Sequence, residues 1–204
     1  MIDNTFRQQL PKYIKPITKF FVNLNIHPNQ LTIIGLFLAI FASASISLKA
    51  PTLGIVLWIS SRLFDGFDGI VARHTNQTSS FGAYLDICTD MLSYSLMNFA
   101  FCIYYPHLFT SWLIIQILYT LCITTALALG SIEKQHKTPT DNRGLRLAAG
   151  LAEGGETSIA YIAFFFLPQY ISLLSSIWIS ILIITIISRT IIAFRINTAS
   201  PKTI

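Results

Sequence analysis

The stretch LFDGFDGIVARHTNQTSSFGAYLDICTD, residues 63–90, places four aspartates in a chain that is otherwise strongly apolar. The 204 residues are 53% hydrophobic and 11% charged, a composition that favours a membrane protein over a soluble domain. An acid within or near a membrane-spanning segment is costly, and such acids usually line a polar cavity or bind a cation. This concentration of aspartates therefore predicts a functional site built on membrane helices.

Apolar runs elsewhere in the chain are long enough to cross a bilayer, which takes about 20 residues in a helix. They occur at residues 31–48, 108–132, 150–168 and 170–189. Two further helices are predicted on either side of the polar sequence HTNQTSS, from about Pro51 to about His74 and from about Ser80 to about Tyr105. The expected fold is all-α, with six transmembrane helices and both termini on the same side.

The chain is predicted to form a single domain over residues 1–204. Residues 1–30 include a basic amphipathic helix on the membrane surface, residues 31–195 form the six-helix core, and residues 196–204 form a cytoplasmic tail. Of the 14 Lys and Arg residues, only Lys49 falls near the opposite side, so the positive-inside rule places both termini in the cytoplasm.

The net charge of +5 suits a surface that faces anionic lipid. Basic patches with interleaved aromatic residues do not occur outside the predicted spans, so the sequence argues against nucleic-acid binding. Cys88, Cys102 and Cys122 all fall within predicted helices. An odd cysteine count without paired spacing argues against a disulfide framework.

The four aspartates form two pairs with helical spacing. Asp65 and Asp68 are three residues apart and Asp86 and Asp90 are four apart, so each pair projects from one helix face. A single acid would be explained by pairing with a nearby Arg, but four acids in one cavity repel one another unless cations neutralise them. Carboxylates without His or Cys ligands favour Mg²⁺ or Mn²⁺ over zinc. A divalent site of this kind commonly binds a diphosphate.

Small residues accompany the aspartates. Gly66, Gly69, Ala72 and Gly82 would let a ligand approach the backbone closely, although helix packing explains each of them alone. As a set, the pattern D-x2-D-G-x2-A-R-x8-G-x3-D-x3-D over residues 65–90 resembles the signature of the CDP-alcohol phosphatidyltransferase family. The sequence HPNQLTIIG before it is similar to the family's usual opening of the first helix, and the resemblance covers essentially the whole chain.

The resemblance implies a cytoplasm-facing cavity with a divalent metal. By this likeness Asp65, Asp68 and Asp86 bind Mg²⁺ or Mn²⁺ together with the diphosphate of a CDP-linked lipid such as CDP-diacylglycerol. Asp90 matches a position that is either a further metal ligand or the general base towards the acceptor hydroxyl.

The resemblance also implies a nucleotide site, to which Asp65 contributes as well. Gly69 and Arg73 match positions that contact the cytidine nucleotide and its phosphates. Ser79 falls where some family members place a hydroxyl that contacts the nucleotide.

The chemistry follows from the residue types. A carboxylate can take the proton of an attacking alcohol, and cations on a diphosphate neutralise the charge that develops on departing CMP. We expect direct transfer of a phosphatidyl group to an alcohol in phospholipid biosynthesis, without a covalent enzyme intermediate. A Mg²⁺-dependent prenyltransferase acting on an isoprenyl diphosphate and an ion-coupled transporter are the alternatives, and release of CMP would separate all three.

The acceptor alcohol is left open by the sequence. Five polar residues outside the signature are candidates for its site: His136, Lys137, Glu153, Glu156 and Arg189. The acids also suit a helix N-terminus, and the arginine could instead extend its charge to the membrane surface. A phosphorylated acceptor is favoured over a plain alcohol such as serine or inositol. The segment EGGET is similar to one in an uncharacterised bacterial inner-membrane branch of the family, so we expect that location. We also expect a homodimer.

Overall fold

The computed structural model describes residues 21–22, 24–135 and 154–199. Within these ranges the chain is helical and contains no β-strand, as the sequence predicts. It divides into two compact units, Met1–His107 and Leu108–Ile204. The predicted amphipathic N-terminal helix and the cytoplasmic tail fall largely outside the described residues.

Between Pro28 and Tyr104 the first unit forms three helices, and local capping explains where each begins. They are α1 (Pro28–Ser47), α2 (Pro51–His74) and α3 (Ser80–Tyr104). Both α1 and α2 start with a proline, whose fixed φ suits the first turn. The backbone N–H of His27 donates to the Gln30 side chain at 2.8 Å, and Ser79 Oγ accepts from the N–H of Gly82 at 3.0 Å. The bounds of α2 and α3 agree with the predicted ones to within a residue.

Close packing of α1 on α2 depends on a small residue at one crossing point. A Cβ added at Gly35 would lie 3.3 Å from the carbonyl oxygen of Ser61, and the Ser61 hydroxyl donates to the carbonyl of Gly35 at 2.7 Å. Helix α1 packs against both α2 and α3, whereas α2 and α3 approach one another less closely. Side chains therefore span the space between α2 and α3, and the aspartates lie on these two helices.

The second unit also contains three helices in its described part: α4 (Phe109–Gln135), α5 (Gly154–Phe166) and α6 (Ile171–Ala199). A short 3-10 turn at Pro168–Tyr170 joins α5 to α6, where the sequence predicts a tight hairpin. The indole N–H of Trp178 on α6 donates to the Tyr119 hydroxyl on α4 at 2.9 Å. This hydrogen bond satisfies two polar atoms in a buried part of the unit.

Three helical segments in the described ranges are long and apolar enough to cross a membrane: Pro28–Ser47, Pro106–Ile132 and Pro168–Ile196. Large apolar side chains also face outward, including Phe37 at 55% and Phe41 at 59% exposure, as expected for surfaces that contact lipid. Helices α2 and α3 are not among the three, because polar and charged residues lower their hydropathy. The six-span arrangement stays a prediction.

Candidate active site

The structure brings three of the four aspartates together. Asp65 and Asp68 project from α2 and Asp86 from α3, and one carboxylate oxygen of each lies within 4.8 Å of the other two. Asp68 is buried, whereas Asp65 and Asp86 are half-buried. Three mutually close carboxylates repel one another, so the arrangement favours a bound cation.

The donor set fits a divalent cation of the hard type. All three ligand atoms are carboxylate oxygens, and neither His nor Cys joins the group within the described residues. Mg²⁺ and Mn²⁺ prefer such oxygens, and Mg²⁺ sites commonly use only a few protein carboxylates and leave other positions to water or phosphate. Asp65, Asp68 and Asp86 could therefore hold the predicted metal.

Asp90 has a different environment from the other three aspartates. Its Oδ1 accepts a hydrogen bond from Arg62 Nη1 at 2.5 Å. The same Nη1 lies 3.8 Å from Asp65 Oδ2. The sequence pattern treats Arg62 only as one of many basic residues near the cytoplasmic side, so its contact with the site is a finding of the structure.

Thr32 is a second residue that the sequence pattern does not single out. Its hydroxyl donates to Asp68 Oδ2 at 2.5 Å and lies 3.3 Å from the carbonyl of Pro28. Thr32 is only 5% exposed, so its hydroxyl needs a partner inside the unit. One signal was available: Thr32 precedes Gly35 by three residues and so shares the α1 face that packs on α2.

The residues predicted to bind the nucleotide lie at the end of α2 and the start of α3. A Cβ added at Gly69 would lie 3.1 Å from Arg73 Nη1, so the arginine side chain passes directly over this glycine. Ser79 caps α3 through Gly82, and a Cβ at Gly82 would lie 3.3 Å from Asn29 Oδ1. The two glycines thus permit close side-chain packing here, while the nucleotide role of Gly69, Arg73 and Ser79 stays a prediction.

The predicted acceptor residues belong to the other part of the chain. His136, Lys137 and Glu153 lie outside the described residues. Glu156 is half-buried in the first turn of α5. Arg189 is only 4% exposed, and its Nη1 donates to the main-chain carbonyl of Cys122 at 2.7 Å. Its guanidinium is therefore buried within the second unit.

Together these features define an α-helical membrane protein with a carboxylate site suited to a divalent cation. A family model described as CDP-alcohol phosphatidyltransferase matches residues 25–187. The chain belongs to the CDP-alcohol phosphatidyltransferase family, as its signature predicts. Membership also argues against the prenyltransferase and transporter alternatives.

Three relatives of known sequence resemble this chain over part or most of its length. The inner membrane protein YnjF of Escherichia coli (strain K12) is 27% identical over 170 residues, 79% of this chain and 80% of YnjF. An archaetidylinositol phosphate synthase of Pyrococcus horikoshii is 40% identical over 88 residues, 43% of this chain and 46% of that protein. An uncharacterised Aquifex aeolicus protein is 35% identical over 92 residues, which is 47% of its length. For the last two relatives, the alignment with this chain covers less than half of the relative's length. The apolar helices and the likeness to an inner membrane protein identify an integral membrane protein.

Solved structures share the fold. The phosphatidylinositol phosphate synthase PgsA1 of Mycobacterium tuberculosis with CDP-DAG bound superposes with a TM-score of 0.65 at 19% identity, covering 93% of this chain and 95% of that chain. The same enzyme in complex with manganese and citrate gives a TM-score of 0.65 at 17% identity, covering 93% and 90%. At this identity the likeness establishes the fold.

Proposed function

We propose that this protein transfers a substituted phosphate group from a CDP-linked lipid to an alcohol and releases CMP. The observation that carries the proposal is the group of three carboxylates within 4.8 Å, located at the signature positions of a family named for this reaction. The two PgsA1 structures, one with CDP-DAG and one with manganese, support a CDP-lipid substrate and a divalent cofactor.

Asp65, Asp68 and Asp86 would hold Mg²⁺ or Mn²⁺ in this proposal. When bound, the cation would neutralise the diphosphate and the charge that develops on the leaving CMP. Thr32 contributes by holding the carboxylate of Asp68 through its hydroxyl. A ligand fixed in this way loses less freedom on binding the metal than a mobile one.

Asp90 would accept the proton of the attacking alcohol. In the transfer a bond forms between the alcohol oxygen and the phosphorus, and the bond from phosphorus to the CMP oxygen breaks. The hydroxyl proton passes to Asp90, for which Oδ2 is the favoured oxygen because Oδ1 accepts from Arg62. Asp90 is also a candidate metal ligand, and the two roles are separated experimentally below.

Gly69, Arg73 and Ser79, with Asp65, would contact the nucleotide. The guanidinium of Arg73 passes over Gly69, and its planar set of N–H donors suits the oxygens of a phosphate. The Ser79 oxygen accepts from Gly82, so its O–H remains able to donate to the cytidine.

The acceptor is proposed to be a phosphorylated alcohol, with an inositol phosphate as the first candidate. Several relatives are named as archaetidylinositol phosphate synthases, and one as a CDP-diacylglycerol--inositol 3-phosphatidyltransferase, so free inositol is the second candidate. Five residues are proposed for the acceptor site: His136, Lys137, Glu153, Glu156 and Arg189.

We further propose six membrane spans, an interfacial N-terminal helix, a homodimer and a site that faces the cytoplasm of a bacterial inner membrane. The distribution of basic residues supports this orientation, and the likeness to an inner membrane protein supports the location. Proteolysis of sealed inverted vesicles tests the orientation, and crosslinking in the membrane tests the dimer.

Purified protein incubated with CDP-diacylglycerol, Mn²⁺ and one alcohol at a time tests the activity. The alcohols are inositol phosphate, glycerol 3-phosphate, inositol and serine, and both CMP and the lipid product are measured. We expect CMP release that depends on one acceptor and disappears in Asp86→Asn. Absence of CMP with every alcohol, or release of pyrophosphate from an isoprenyl diphosphate instead, would overturn the proposal.

A further inference from the structure

The guanidinium of Arg62 on α2 lies close to residues of both α1 and α3. The side chain of Arg62 is only 12% exposed, and its carbon Cζ lies 4.7 Å from the ring centre of Trp58 and 5.3 Å from that of Tyr94. Two aromatic faces attract the cation and restrict the plane of the guanidinium. The orientation of this group is therefore fixed by its packing.

Hydrogen bonds join the guanidinium of Arg62 to α1, through Ser61, and directly to α3. Ser61, which is fully buried, donates to the α1 carbonyl of Gly35 at 2.7 Å and accepts from Arg62 Nη2 at 3.0 Å. Nη1 then donates to Asp90 Oδ1 on α3. Because α2 and α3 approach one another less closely than either approaches α1, Arg62 links the two helices that carry the aspartates.

The hydrogen bond from Arg62 distinguishes Asp90 from the other three aspartates. Three of them converge on one point, whereas Asp90 has one oxygen committed to the guanidinium. We propose that Arg62 is a positioning residue that keeps Asp90 out of the metal group and presents its second oxygen to the acceptor alcohol. This inference rests on the proposed function, and nothing in the family signature includes Arg62.

Kinetics of four variants test this role: Arg62→Gln, Arg62→Lys, Asp90→Asn and the double variant Arg62→Gln/Asp90→Asn. We expect Arg62→Gln to lower kcat by roughly 10- to 100-fold, the usual range for residues that orient a catalytic group, with the KM for CDP-diacylglycerol unchanged. Arg62→Lys should recover part of the loss, because an ammonium reaches one carboxylate oxygen but lacks the planar fork. The double variant should be no slower than Asp90→Asn, since Arg62 acts through that carboxylate.

Binding of Mn²⁺, measured by calorimetry without any substrate, gives a readout that does not depend on turnover. Removing a positive charge 3.8 Å from Asp65 should tighten Mn²⁺ binding by several-fold, on the order of tenfold at most. Lys49→Gln is the control for the loss of one positive charge: Lys49 is exposed in the turn before α2, and its replacement should change neither kcat nor Mn²⁺ affinity. If wild-type protein releases no CMP, the proposed function fails, and the Mn²⁺ comparison still decides whether Arg62 acts on the metal group.

Several results would overturn the proposal. If the fold-loss of kcat in the double variant equals the product of the losses in the two single variants, Arg62 and Asp90 act independently. Joint loss of kcat and CDP-lipid binding in Arg62→Gln would make Arg62 a substrate ligand. If Arg62→Gln does not fold, Arg62→Lys decides: wild-type kcat in this variant would show that the planar geometry of the guanidinium has no part in the reaction.

Discussion

Among the described residues, each unit contains one arginine whose side chain is largely enclosed, Arg62 at 12% and Arg189 at 4% exposure, and the two have different partners. Arg62 in the first unit bonds to Asp90 and Ser61 and lies against two aromatic rings. Arg189 in the second unit donates to the main-chain carbonyl of Cys122, a contact between α4 and α6. Arg62 thus contacts a carboxylate of the family signature, whereas the hydrogen bond from Arg189 to Cys122 joins α6 to α4.

The same contrast holds for other polar contacts between helices. In the first unit Thr32 on α1 donates a hydrogen bond to Asp68 on α2, and Asp68 is a proposed metal ligand. In the second unit Trp178 bonds to Tyr119, two residues outside the family signature. Polar contacts in the first unit should therefore affect turnover, and those in the second should mainly affect stability.

The largest effect is expected for the metal group. Asp68→Asn keeps the shape of the side chain but removes a negative charge, so turnover should fall to background while the helical content measured by circular dichroism is kept. Chelation of wild-type protein should have the same effect and be reversed by Mn²⁺, whereas Asp68→Asn should not recover. Full activity in Asp68→Asn or in excess chelator would refute the metal site.

A smaller loss is expected for the fourth aspartate. Asp90→Asn should lower turnover by roughly 100-fold or more, the scale of general acid–base catalysis, while binding of CDP-diacylglycerol is retained. Nucleotide binding and turnover are measured on one preparation. Wild-type turnover would exclude Asp90 as the base, and loss of both binding and turnover would make it a metal ligand first.

The hydroxyl of Thr32 should have an effect of roughly 10- to 100-fold, the range found for residues that orient metal ligands. Thr32→Val removes the bond to Asp68 with little change of shape, so the Mn²⁺ concentration for half-maximal turnover should rise. Thr32→Ser keeps the hydroxyl and is the matched control, with near wild-type behaviour. Equal Mn²⁺ dependence in the two variants would show that this bond does not support the site.

Arg189 tests whether the second unit also takes part in binding. If it contacts a phosphate on the acceptor, Arg189→Ala should lower kcat/KM for that acceptor by about tenfold, the value of one charge-assisted hydrogen bond of about 1.5 kcal/mol, with CDP-lipid binding unchanged. Arg189→Lys is compared on inositol phosphate and on inositol. Wild-type rates of Arg189→Lys on the preferred acceptor would exclude a bidentate phosphate contact.

The smallest effect is expected for the contact between α4 and α6. Trp178→Phe removes the indole donor to Tyr119 and should lower the free energy of unfolding in detergent by about 0.6 to 1 kcal/mol, the usual value of such bonds in membrane proteins. Turnover at a temperature well below the midpoint should match wild type. A loss of turnover without a loss of stability would contradict the expectation that polar contacts in the second unit mainly affect stability.

The sequence predicted what depends on spacing along the chain. Asp65 and Asp68 lie on one face of α2 because helices repeat every 3.6 residues, and prolines and Ser79 mark where helices begin. These local rules gave the bounds of α2 and α3 and placed each pair of aspartates on one helix face. The choice of Asp65, Asp68 and Asp86 as the metal ligands came from the resemblance to the family.

Contacts between residues far apart in sequence were not predictable in this way. Thr32 and Asp68 are 36 residues apart, and Arg62 and Asp90 are 28 apart, so each pair depends on how the helices pack. A threonine near the start of a helix and an arginine near the cytoplasmic side are both common. The spacing of Thr32 from Gly35 indicates which face of α1 it occupies, but neither sequence context identifies a signature carboxylate as the partner.

The order of the helices along the chain has a consequence for biosynthesis. Among the described helices of the first unit, only α1 is long and apolar enough to partition into lipid alone. Helix α2 carries Arg62 and Asp68, each of which costs about 2.5 to 3.5 kcal/mol at the bilayer centre. When α2 leaves the ribosome, α1 already offers Thr32 to Asp68, but Asp90 is still enclosed in the ribosomal exit tunnel. A translocon that retained α2 until α3 emerged would release Arg62 and Asp90 as a neutral pair instead of a bare guanidinium.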